Sequence, residues 1–215
     1  MDKTPRTVAQ SSRGLLLNRL ARAARQVPIP GCDAWRYVAI SMIGAAAMES
    51  SFAQGVVLPT SVFVQAATGG DTHAVTTGLS WDWNKQWAIA GGRLDGYWEI
   101  SLSGWSYPSM DGRRTAWLGQ VGAVPTFRYR PDEGRSPWFC EIGVGVSLTT
   151  TVYESQRKRF STSFNFADHI GVGRSFGGNR EHEISLRIEH FSNAGIKHPN
   201  PGENFLQLRY SYRLQ

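Results

Sequence analysis

The chain has 215 residues, a formal net charge of +6, 41% hydrophobic and 19% charged residues, a balance that excludes a disordered chain and fits one domain plus a leader. No run of about 20 apolar residues occurs, which excludes a polytopic helical membrane protein. Eight Trp and 23 Gly favour strands joined by tight turns, and two Cys cannot build a disulfide framework.

Residues 36–53 read RYVAISMIGAAAMESSFA. Arg36 precedes an apolar run of about a dozen residues, and Ser51-Phe52-Ala53 offers small residues at a cleavage site, so residues 1–53 are expected to be an N-terminal extension plus secretory signal peptide, cut after Ala53. A buried helix or anchor is the alternative, although the run is short for a bilayer. The leader holds seven of the 23 Lys/Arg and three of the 17 Asp/Glu, so residues 54–215 carry only +2. That removes the electrostatic case for nucleic acid. Cys140 stays behind alone, without a partner for a bridge.

From Ser61 the chain breaks into period-two segments separated by Gly, Asp, Asn and Pro clusters. Eight are expected, near 59–67, 73–83, 95–106, 114–130, 137–149, 160–176, 181–192 and 203–214. In the third, Trp98, Ile100 and Leu102 oppose Glu99, Ser101 and Ser103. In the fifth, Ile142, Val144, Val146 and Leu148 oppose Glu141, Gly143, Gly145 and Ser147. In the seventh, Ile184, Leu186 and Ile188 oppose Glu183, Ser185, Arg187 and Glu189. In the eighth, Leu206, Leu208, Tyr210, Tyr212 and Leu214 oppose Gln207, Arg209, Ser211 and Arg213. Pro125 suggests a bulge or strand end, and the sixth segment alternates poorly.

A soluble, lipocalin-like barrel would turn the apolar face inward. A transmembrane barrel would turn it toward lipid. Segments of about 10 residues can cross a bilayer when tilted. Aromatics near segment ends (Trp81, Trp83, Trp98, Trp105, Trp138, Tyr210, Tyr212) suit an interfacial girdle, and the mixed charges of the polar faces can pair in a narrow lumen. The expected fold is therefore all-β, an eight-stranded antiparallel transmembrane β-barrel of outer-membrane type over residues 54–215. Side chains would fill so small a barrel, so no pore is expected. With both termini periplasmic, the 193–202 loop lies on the cell-exterior side.

His190 and Ser192 extend the outward face of the seventh segment. Neighbours at i and i+2 share a face, which allows the base and nucleophile of a serine hydrolase. On spacing alone, a strand that has reached the headgroups explains them better. Glu203 is the next acid along, and the Ala194 and Gly195 amides, supported by Asn193 or Asn200, are candidate oxyanion donors. His73, His169 and His182 lack metal spacing, and Gly171-Val172-Gly173 has no helix after it for a phosphate loop. Asp168-His169 beside Phe164 and Phe166 is suggestive, but mixed strand polarity accounts for it equally. Arg157-Lys158-Arg159 reads as an exposed loop that can also meet anionic lipopolysaccharide.

The run His190 to Glu203, HFSNAGIKHPNPGE, closely resembles the signature of the PagL family of outer-membrane lipid A 3-O-deacylases. The resemblance is strong over about 188–212 and extends over 60–215. It implies an eight-stranded barrel with an outward Ser–His–Glu triad that removes the ester-linked acyl chain at position 3 of lipid A without metal or cofactor. Ser192 would be the nucleophile, His190 the base and Glu203 the orienting acid. Parity puts Asn204, not Glu203, on the outer face, and in some members the acid falls one residue later, where this chain has Asn204. Gln215 also departs from the usual terminal aromatic. The implied substrate is lipid A within lipopolysaccharide, reached from the outer leaflet, with Ile184, Leu186 and Leu206 beside the acyl chain and Lys197 and His198 near its phosphates. The implied state is a monomer or homodimer among outer-membrane lipids. A non-catalytic small barrel, adhesin or structural, is the alternative.

Overall fold

The computed structural model describes residues 58–214, and the expected leader lies outside them. The strands are β1 (Ser61–Gly69), β2 (Thr72–Asp82), β3 (Trp87–Ile89), β4 (Gly92–Pro108), β5 (Thr115–Arg130), β6 (Trp138–Thr149), β7 (Phe164–Phe176), β8 (His182–Ser192) and β9 (Glu203–Arg213). Neighbours pair antiparallel. β1 joins β9, and β2 joins β4 past the short β3, so eight staves close a ring with no free edge. The expected eight segments match the staves to within a few residues. β3 was not expected; it hairpins onto the start of β4 at the end of the barrel where β1 begins and β9 ends.

The apolar residues of the alternation face outward. Val75, Leu102, Ile142, Ile170, Leu186 and Leu208 are all about half exposed or more, while Glu99, Glu141, Arg187 and Arg209 are buried in the lumen. A soluble barrel would reverse this, because exposing a band of aliphatic side chains to water is unfavourable. The outer band requires hydrocarbon around it.

The lumen is filled with paired charge. Arg187 donates from Nε to Glu141 at 2.6 Å, from Nη1 to Glu99 at 3.3 Å and from Nη2 to the Tyr97 hydroxyl at 2.7 Å. Arg209 also donates to Glu99, and Arg128 bridges Glu141 and Glu183. These contacts tie β4, β5, β6, β8 and β9 together across the interior. A charge buried here is tolerable because each is met by opposite charge and hydrogen bonds. The space beside this network, bounded by Gln65, Glu99, Glu189 and Gln207, is a cavity of about 10 Å³, room for about one water.

Two details refine the expectations. Trp105 is 1% exposed and lies inside, not in an outer girdle. Its ring packs edge-on against Tyr153, Phe191 and Phe205, so the 150–163 connection is drawn across one mouth, with Tyr153 and Phe160 buried. That is why the sixth segment alternates poorly before Phe164. Pro125 keeps its place opposite Trp98, but the β5–β6 ladder is interrupted at Val124-Pro125, where proline has no N–H to give.

Candidate active site

The site grows from three strand positions at the plugged end of the barrel. β8 runs to Ser192 and enters the 193–202 loop; β9 returns from Glu203. His190 is paired in register with Asp168 of β7 on one side and Asn204 of β9 on the other. Ser192 lies opposite Phe166. Residues directly opposite in an antiparallel pair share a face with their Cβ atoms roughly 5 Å apart. His190, Ser192, Asp168, Asn204 and Phe166 therefore form one outward-facing patch.

Within it, His190 Nδ1 and Asn204 Oδ1 are 2.6 Å apart. An amide oxygen only accepts, so Nδ1 carries the proton and Nε2 presents a lone pair. Gly202 lies over the same ring, with φ of +66°, and a Cβ there would stand 2.6 Å from His190 Cε1. Glycine is needed at this position twice, for the left-handed backbone and for the ring beneath it. Ser192 lies two residues along the same face of β8, about 6.6 Å away in strand rise. Its hydroxyl makes no hydrogen bond among the described residues, to His190 or otherwise.

Glu203 is not in this patch. It is 4% exposed, on the lumen side. Its carboxylate accepts from the Tyr153 hydroxyl at 3.1 Å and from Lys158 Nζ at 2.9 Å. No bulge turns it outward, because β9 keeps strict alternation from its first residue. Asn204 takes the place at Nδ1 that was expected of Glu203. What Glu203 does is fasten the start of β9 to the 150–163 connection inside the mouth.

The expected oxyanion donors are largely engaged with one another. Asn193 is 1% exposed. Its Nδ2 donates to Ser161 Oγ, Thr162 Oγ1 and the Lys197 carbonyl, and its Oδ1 accepts the Gly195 amide at 3.0 Å. The Asn193 amide donates to Asn200 Oδ1 at 3.0 Å. Asn193 and Gly195 are thus fixed as the internal frame of the loop, and Ala194 takes the positive φ of its turn, +52°. Asn200 Nδ2 is left without a partner among the described residues.

The basic run is also spent on the protein itself: Arg157 pairs with Asp71, Lys158 with Glu203 and Arg159 with Glu154. Lys197 and His198 are exposed on the loop. Among the described residues, no group of three or more His, Cys, Asp or Glu is placed to hold a metal ion. Two polar members of the patch, Asp168 and Asn204, were not assigned from sequence. Asn204 was visible through strand parity, whereas Asp168 needed the β7–β8 register, which no single segment encodes.

This geometry has close relatives. The family described as lipid A 3-O-deacylase (PagL) matches residues 72–213. The lipid A deacylase PagL of Bordetella bronchiseptica is 38% identical over 133 residues, covering 61% of this chain and 70% of the relative. That of Pseudomonas aeruginosa is 33% identical over 145 residues, covering 67% and 80%. A crystal structure of the outer membrane enzyme PagL superposes with a TM-score of 0.61 at 30% identity, covering 72% of this chain and 99% of that one.

Proposed function

The chain belongs to the PagL family of lipid A 3-O-deacylases, and we propose that Ser192 and His190 are the nucleophile and base with which it hydrolyses the ester at position 3 of lipid A. The observation that carries this is the outward patch. His190 is held in one tautomer by Asn204, with its free nitrogen on the face that Ser192 shares.

The steps follow from these groups. Ser192 Oγ gives its proton to His190 Nε2 and attacks the ester carbonyl carbon. The tetrahedral oxyanion takes hydrogen bonds from donors at the loop, of which Asn200 Nδ2 has none to give up first. The carbonyl carbon–sugar oxygen bond then breaks. His190 returns the proton to that oxygen, and the sugar leaves with a hydroxyl. Water, deprotonated by His190, attacks the acyl-serine. The fatty acid departs and Ser192 regains its proton.

The site opens sideways onto the membrane, not into the lumen, which the Arg–Glu network and the aromatic plug fill. We place its end of the barrel at the outer leaflet, where lipid A resides. Acyl chains would then lie along Ile184, Leu186, Ile188 and Leu206, all near half exposed. The test is mass spectrometry of lipid A from cells expressing the protein or its Ser192→Ala form. Loss of one acyl chain's mass, absent in the variant, is expected. Unmodified lipid A with inserted wild-type protein, or full activity of Ser192→Ala, would refute the assignment.

A further inference from the structure

We infer that Asp168 is the carboxylate that supports His190 in this chain, acting from β7 while Asn204 holds the ring from β9. The inference rests on the assignment of His190 as the base.

Asn204 settles the tautomer but carries no charge. When His190 accepts the Ser192 proton it becomes an imidazolium at the edge of the membrane, and a neutral amide stabilises that cation only weakly. A carboxylate beside the ring is the usual remedy. Glu203, the adjacent acid in sequence, is committed to Lys158 and Tyr153 in the lumen. Glu189 also faces the lumen, where Gln207 binds it.

Asp168 stands directly opposite His190 in the β7–β8 ladder, on the outward face. Its Oδ1 is buried and has no hydrogen-bond partner. Around it are Val144 across β6 and Phe166 and Ile170 along its own strand. A lone carboxylate among such neighbours on a lipid-facing wall is unfavourable unless a cation answers it. The basic group that meets it across the strand is His190. The isolated acid and the base that needs a counter-charge are thus partners. Asp168 touches no reacting atom and takes no proton; it is a positioning residue that works through the imidazole.

The experiment compares kcat and KM on lipid A for Asp168→Asn, Asp168→Glu, Asn204→Glu, and Asp168→Asn combined with Asn204→Glu, beside Ser192→Ala. Insertion is checked by heat-modifiable migration, and Asp168→Ser replaces Asp168→Asn if the latter does not insert. Opposite charges on side chains whose Cβ atoms are roughly 5 Å apart, in a partly wet site, support an effect of about 10- to 100-fold. A fall of that size in kcat with little change in KM is expected for Asp168→Asn. Asp168→Glu should recover part of it, and so should the double variant, whose new carboxylate approaches from the opposite side of the ring. Because Asn204→Glu supplies a carboxylate at Nδ1 on its own, the double variant is read against Asn204→Glu alone: a charge role predicts a much smaller cost of Asp168→Asn there than in the wild-type background, a structural role the same cost in both. Activity of Asp168→Asn within about twofold of wild type, or a loss that neither carboxylate restores, overturns the inference. If Ser192→Ala stays active, the underlying assignment fails instead.

Discussion

Gly202→Ala is the sharpest probe of how the imidazole is placed. The added methyl would stand 2.6 Å from His190 Cε1 and 3.3 Å from Nε2. Carbon–carbon contact becomes comfortable only near ~3.5 Å, so the ring or the loop must retreat by about 1 Å. The ring is tethered to Asn204 at 2.6 Å, and a movement of that size stretches or breaks the hydrogen bond, which is worth roughly 1 kcal/mol. The backbone adds about 1–2 kcal/mol, because alanine must adopt the left-handed φ of +66°. The loss of stability is therefore modest for a closed barrel. The loss of rate is larger, since a 1 Å misplacement of a catalytic group costs on the order of 10²-fold. The assay is the time course of lipid A deacylation in outer membranes, with heat-modifiable migration as the control for insertion. Inserted Gly202→Ala protein working within about twofold of wild type would mean that His190 need not occupy this position, and the reasoning from the patch would fall.

Other outcomes follow from the same contacts. Glu203→Gln removes the charge that Lys158 pairs with but leaves His190 alone; less than a tenfold change in rate is expected, whereas a triad acid would cost about 10⁴-fold. Arg187→Met removes the cation that bridges Glu99 and Glu141 at 3.3 and 2.6 Å but leaves them Arg209 and Arg128; unfolding in urea should show a loss below the roughly 3–5 kcal/mol of a fully stranded buried charge, with the released fatty acid unchanged. Asn193→Ala deletes the side chain that joins Ser161, Thr162, Lys197 and Gly195. The 193–202 loop should become sensitive to protease, and the rate should fall with the loop that carries Gly202.

Much of the barrel was legible because a strand reports its two faces at a period of two. Ile184, Leu186 and Ile188 against Ser185, Arg187 and Glu189 mark both the strand and its outward side. The same parity showed that Asn204 and not Glu203 faces outward, and the structure follows the parity. Trp105 was misplaced because an aromatic near a segment end fits either a girdle or a plug; the choice depends on whether a loop folds back to cover it, as Tyr153 and Phe160 do. The expected donors Asn193 and Gly195 were reasonable by type, yet a donor's use depends on what lies within 3 Å of it, and here they bond each other.

Local order therefore settles the class of fold, the inner and outer faces of each stave, and the shared face of His190 and Ser192. Backbone geometry alone enforces these. Which residues flank the imidazole from the neighbouring staves is set by strand register. Asp168 and Asn204 are 22 residues before and 14 after His190, and only closure of the barrel brings all three to one level.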